Sequence, residues 1–140
     1  MASGWMEPGS CRNLVVLVES VTAPLLIEHQ SPVCLELDID VELPIPCDPV
    51  QTADLITALT KQALAAMPDG GDLNITACQS DAGLELEIAD SGIDAERRQR
   101  NFPIAAAALN ADLQWQNCPQ GGAAVTVLFP GNSSQGRMAA

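Results

Sequence analysis

Residues 48–92 read DPVQTADLITALTKQALAAMPDGGDLNITACQSDAGLELEIADSG, and this stretch decides the fold. Asp48 is placed to cap a helix, its carboxylate accepting from an otherwise unpaired N–H of the first turn. Pro49 follows at the first helical position, where a missing N–H costs nothing. Leu55, Ile56, Leu59, Ala63, Ala66 and Met67 recur at helical spacing and predict one inward stripe. Pro68 and the Gly70-Gly71 pair end the helix and turn the chain. Leu73, Ile75 and Ala77 then alternate with polar residues, as do Leu84, Leu86 and Ile88. These runs predict adjacent strands joined through Gln79-Ser80-Asp81-Ala82-Gly83, the second delivering Asp90, Ser91 and Gly92 at its end.

Upstream, Asn13 is placed to cap a helix that carries Leu14, Leu17, Val18, Val21, Leu25 and Leu26 inward. Pro24 lies inside that pattern and predicts a kink or a restart. Val33, Leu35, Leu37 and Ile39 alternate with Cys34, Glu36, Asp38 and Asp40, a half-buried strand with an acidic outer face. Downstream, Ile104 to Leu109 predicts a short alanine-rich helix that Asn110 ends in a left-handed conformation. Leu113, Trp115 and Asn117 alternate in a further strand, and Ala123 to Phe129 forms the last. Residues 1–12 read as a flexible lead and 131–140 as a disordered tail, leaving one domain over 13–130. The elements alternate too irregularly for a doubly wound parallel sheet. The expected architecture is an α/β two-layer sandwich: a mixed sheet of about five strands with about three helices on one face.

Composition narrows the function. The chain has 140 residues, 47% of them hydrophobic, and a formal net charge of −12. That charge argues against nucleic acid and anionic membrane surfaces as partners. The apolar run Leu14 to Val18 is too short to span a bilayer, so no membrane insertion is expected. Five cysteines, Cys11, Cys34, Cys47, Cys78 and Cys118, show no paired metal-ligand spacing and read as reduced thiols of a cytoplasmic protein.

The order helix, strand, D-P helix start, A-L-T-K-Q-A-L-A-A-M-P-D-G-G, then D-S-G-I-D, resembles the ATP-binding domain of sensor histidine kinases and the wider GHKL ATPases. In that family the helix typically reads N-L-L-x-N-A-x-x-A-M-P-x-G-G and the following motif D-x-G-x-G. The closing G-G-A-A-V-T-V-L-F-P is similar to the family's last turn and strand. The resemblance covers about Asn13 to Pro130 and implies the GHKL fold just described. It also implies a nucleotide site at Gln62, Asp90 and Gly92.

Scaffold residues match the family better than chemical ones. Gln62 stands where the family's asparagine helps hold Mg²⁺. Its amide oxygen is pushed out by one methylene, about 1.5 Å, against a tight octahedral shell; the alternative is a hydrated polar side chain at the helix rim. Ala58 stands where ATP-hydrolysing relatives carry a glutamate base, and a methyl group neither accepts a proton nor polarises water. Asp90 stands at the adenine-contact position, with an Asx-type turn in D-S-G as the plainer reading. Gly92 would let backbone approach the base. Asp94 replaces the motif's second glycine with a Cβ and a negative charge. Between Gly92 and Gly121 there is no glycine, hence no counterpart of the phosphate-cradling loop or its lid. The Arg97-Arg98-Arg100 cluster is either an exposed helix-start surface or a docking patch for an acidic partner. His29, the only histidine, suits a helix C-terminal dipole contact or an exposed position better than phosphotransfer.

Taken together, these residues predict a non-catalytic binding or regulatory module with a protein partner in two-component-type signalling, not an enzyme and without a cofactor. The alternative is a domain that still takes ADP or ATP with Mg²⁺ weakly, as part of a sensor kinase.

Overall fold

The computed structural model describes residues 13–98 and 103–130. The expected lead and tail, together with Cys11, Arg100 and the Asn101-Phe102 pair, lie outside them. Helix α1 spans Leu14–Glu28 and is followed by strand β1, Val33–Asp38. Helix α2, Pro49–Ala65, leads to β2, Gly71–Ser80, and β3, Gly83–Asp90. After a 3-10 turn at Ala95–Arg97 come α3, Ile104–Ala108, β4, Asp112–Asn117, and β5, Ala123–Pro130. The five strands form one sheet in the order β1-β2-β3-β5-β4. Only β1 and β2 run parallel, linked through α2, while the other pairs are antiparallel. This is the mixed-sheet α/β sandwich that the alternation predicts.

The start of α2 forms as its residues dictate. Gln51 N donates to Asp48 Oδ2 at 2.9 Å, and Pro49 sits at the first helical position. Asn13 differs: its side chain makes no cap bond and instead donates to the Val41 carbonyl, while Leu14 N donates to Leu43 O. The unpaired N–H groups of α1 are thus met partly by a neighbouring loop. Nor does Pro24 restart α1, which runs as one element to Glu28. A single proline removes one ladder bond, and Leu25 and Leu26 beyond it still pack on the core. Asn110 has φ 59, the left-handed helix stop expected of it.

Leu55, Ile56, Leu59, Ala63 and Met67 of the α2 segment pack on Leu73, Ile75, Leu84, Leu86, Ile88, Val125, Val127 and Phe129 of the sheet. The two periodicities, 3.6 on the helix and 2 on the strands, meet in this interface. Among the described residues, the Thr52 and Thr60 hydroxyls are buried without hydrogen-bond partners. A buried unpaired hydroxyl costs about 1–3 kcal/mol. Thr60→Val keeps the shape and deletes that cost, so we expect a stabilisation of about 1 kcal/mol in urea unfolding. A destabilised variant would show that the hydroxyl finds a partner.

Candidate functional site

Asp90 ends β3 on the helix-facing side, in register with Leu73 on one neighbour and Ala123 on the other. It is 6% exposed, so its carboxylate needs partners to persist there. It has three. Gly92 N donates to Oδ1 at 2.8 Å, closing an Asx-type turn. Arg98 donates through both terminal nitrogens, Nη1 to Oδ2 at 2.8 Å and Nη2 to Oδ1. The guanidinium is fixed from behind by the Ile93 carbonyl, which accepts from Nε at 2.9 Å and from Nη2. Side-chain exposure in this pair is 10% for Arg98 and 2% for Asp90.

The hook that returns Arg98 to Asp90 is built from the loop after β3. Ile93 N donates to Ala66 O, tying the loop to the end of α2. Ala95 N donates to the Asn117 side chain at 2.8 Å, and Asn117 donates to Glu96. The 3-10 turn is thereby pinned to β4, and Arg98 leaves it directed inward. A Cβ on Gly92 would run into the Ala66 carbonyl, so packing against α2 requires a glycine there.

Beside Asp90, a gap lined by Leu59, Gln62, Ala63, Ile88, Arg98, Trp115 and Val125 has a volume of about 10 Å³. That is the room of about one water. A larger hollow of about 340 Å³ opens next to it, between Lys61, Gln62, Ala65 and Ala66 of the α2 segment and Ile93, Arg97 and Arg98 of the loop. Gln62 reaches both spaces and is half-buried, an intermediate between the metal-ligand and rim readings. Ala58 is half-buried, Asp54 and Lys61 are exposed, and Asp94 is exposed at the start of the 3-10 turn.

The structure therefore brings Gln62, Asp90 and Gly92 to one place, as the sequence indicates, and adds Arg98 to them. Reading Arg97, Arg98 and Arg100 as one outward cluster is corrected at Arg98, whose charge is consumed internally. Arg97 is exposed, and Arg100 lies outside the described residues. The pairing partner sits eight residues from Asp90, across an irregular loop, so no periodicity reports it. The available signal was chemical: a carboxylate at the end of an apolar strand demands a cation within loop reach. His29 makes a helix C-terminal contact, at α2 and not at its own helix. Its Nε2 lies 2.8 Å from Met67 O, a carbonyl that only accepts, so the ring donates and joins the ends of α1 and α2.

The described cysteines, Cys34, Cys47, Cys78 and Cys118, are free thiols. Burial, and then the charge of Asp48, pushes the Cys47 thiol above its ordinary pKa. Burial does the same to Cys118, helped by Asp90 and Glu87 and opposed by Arg98. Neither is an activated nucleophile, since a raised pKa keeps the thiol protonated near neutrality.

No family model matches the sequence, and no curated protein matches it either. Solved structures do. A mycobacterial sensor histidine kinase, MprB, superposes with a TM-score of 0.66 over 85% of this chain and 96% of that one, at 15% identity. The fold is that of a histidine kinase catalytic domain. The catalytic domain of the histidine kinase ThkA, in a nucleotide-free form, gives a TM-score of 0.65 over 84% of this chain and 93% of its own, at 16% identity. The Acinetobacter baumannii histidine kinase AdeS gives 0.69 over 86% of this chain and 66% of its own, at 20% identity. Among the described residues no helix is long and apolar enough to cross a membrane.

Proposed function

We propose that this chain is a histidine-kinase-like domain acting as a non-catalytic binding or regulatory module, with a protein partner in two-component-type signalling. The observation that carries the reading is the Asp90–Arg98 pair. Both carboxylate oxygens at the adenine-contact position of the kinase fold already accept from the chain's own guanidinium, and Oδ1 accepts from Gly92 N as well. The gap between Asp90 and α2 holds about 10 Å³, far short of a purine, and the hollow of about 340 Å³ next to it is lined by Arg98 and not by Asp90.

Other residues support the same reading. A nucleotide with Mg²⁺ would need a hydrogen-bond acceptor free to meet the base, a short amide at the metal and amides around the phosphates. Here the acceptor is engaged, Gln62 is one methylene too long, and no glycine-rich loop follows Gly92. Ala58 supplies no base. The residues present do not fit Mg-ATP. Altering base, metal ligand and phosphate cradle together is hard to reconcile with turnover, because that reaction depends almost wholly on positioning and charge stabilisation.

The test is a thermal titration of the full chain with Mg-ATP, ADP and adenosine. A ligand at a hundred times its Kd stabilises by about 2.7 kcal/mol, which raises Tm by roughly 10 °C for a domain of this size. We expect no shift at millimolar nucleotide. A saturable shift with ADP would establish the alternative, a domain that retains nucleotide.

A further inference from the structure

Among the described residues there are three cations, Lys61, Arg97 and Arg98, and all three line the hollow of about 340 Å³ beside α2. None of its other lining residues, Gln62, Ala65, Ala66 and Ile93, is acidic. Acids are close by all the same: Asp94 and Glu96 neighbour Arg97 on its loop, and Asp90 is paired to Arg98. Asp38, Asp40, Glu85 and Glu87 line a separate, wider hollow on the face of the sheet that the helices leave uncovered. On a chain of formal charge −12, the hollow beside α2 is where an anion meets attraction at short range. Arg98 is spent on Asp90, which leaves Lys61 and Arg97, both exposed, at its mouth.

We propose that this hollow docks an acidic segment of a partner protein, taking a glutamate or aspartate side chain between Lys61 and Arg97. This rests on the reading of the domain as a protein-binding module and names the chemistry of the partner. The floor selects a carboxylate on an aliphatic stem over a compact phosphate. Ala65, Ala66 and the partly exposed Ile93 offer methyl and methylene surface to such a stem. Ala65 ends α2 and Ala66 is its C-cap, so the negative end of the helix dipole faces the hollow and opposes a doubly charged group more strongly than a single carboxylate. The Ile93 amide, the kind of donor a phosphate needs, is already given to Ala66 O. Screening over about 10 Å at 0.1 M salt lets these two cations act locally against the acidic remainder.

The experiment is fluorescence anisotropy of a labelled Glu/Leu-rich peptide titrated with the full chain, at about 50 mM and about 300 mM salt. Wild type is expected to bind at low salt and weaken as salt rises. The double variant Lys61→Glu/Arg97→Glu is expected to lose about tenfold or more in affinity. Its Tm should stay at the wild-type value, since both side chains are exposed. No binding at low salt, or equal binding by the double variant, overturns the proposal. Mg-ADP is then added to the wild-type mixture. Displacement of the peptide together with a thermal shift assigns the hollow to nucleotide and overturns the non-catalytic reading as well. Absence of both peptide binding and nucleotide response overturns the docking proposal alone.

Discussion

Arg98→Ala is expected to destabilise this domain by about 3–5 kcal/mol, the range for removing one partner of a buried ion pair. The side chain deleted is 10% exposed and the carboxylate left behind 2%. Asp90 would keep the Gly92 amide, its Asx-turn partner, and lose both charged donors. The cost is therefore that of an uncompensated buried charge, not of one contact. Chemical denaturation would read it as a fall in midpoint at constant slope. The double variant Asp90→Asn/Arg98→Met removes the charge along with its partner and should recover most of the loss, because breaking a buried pair costs more than replacing it whole. A single variant within about 0.5 kcal/mol of wild type would mean that the guanidinium is not seated on Asp90. The main support for the proposed function would go with it.

Gly122→Ala is expected to cost about 2–4 kcal/mol, from left-handed backbone strain and overpacking together. Gly122 has φ +90, and a Cβ there would run into the Asp90 carbonyl, with Ser91 Cα at 2.8 Å. Both of these close atoms are backbone at the end of β3, so neither side can rotate away. The adjacent Gly121 is the internal control. Its φ is +106, yet a Cβ there meets nothing within 4 Å. Gly121→Ala thus pays the conformational term alone, about 1 kcal/mol. The difference between the two variants isolates how tightly the turn before β5 is held against the strand carrying Asp90. Equal losses would show that this close approach is absent. Because Cys118 N donates to Gly122 O across the same turn, the Gly122 variant should also loosen the end of β4.

Much of the fold was legible because its causes are local. Asp48 and Pro49 start α2 through groups within three residues of each other. Asn110 stops α3 by its own φ. The sheet follows from alternation that any single strand displays. Asn13 holds the N-cap position without the side-chain bond expected of it, and α1 continues past Pro24 without a restart, for the complementary reason. The carbonyl that takes the Asn13 amide belongs to Val41, 28 residues away, and the tolerance of Pro24 rests on core packing by the residues beyond it.

Sequence alone determined the layers, the place of Gln62, Asp90 and Gly92 at one end of them, and the lack of a glycine-rich phosphate loop. These depend on residue type and short spacing. Tertiary structure alone decided that Arg98 occupies Asp90, that Gly92 serves the α2 contact, and that the described cations share one hollow. Each of those rests on an irregular loop folding back on the body of the domain, where contact follows from path and packing, and neither is encoded in a period.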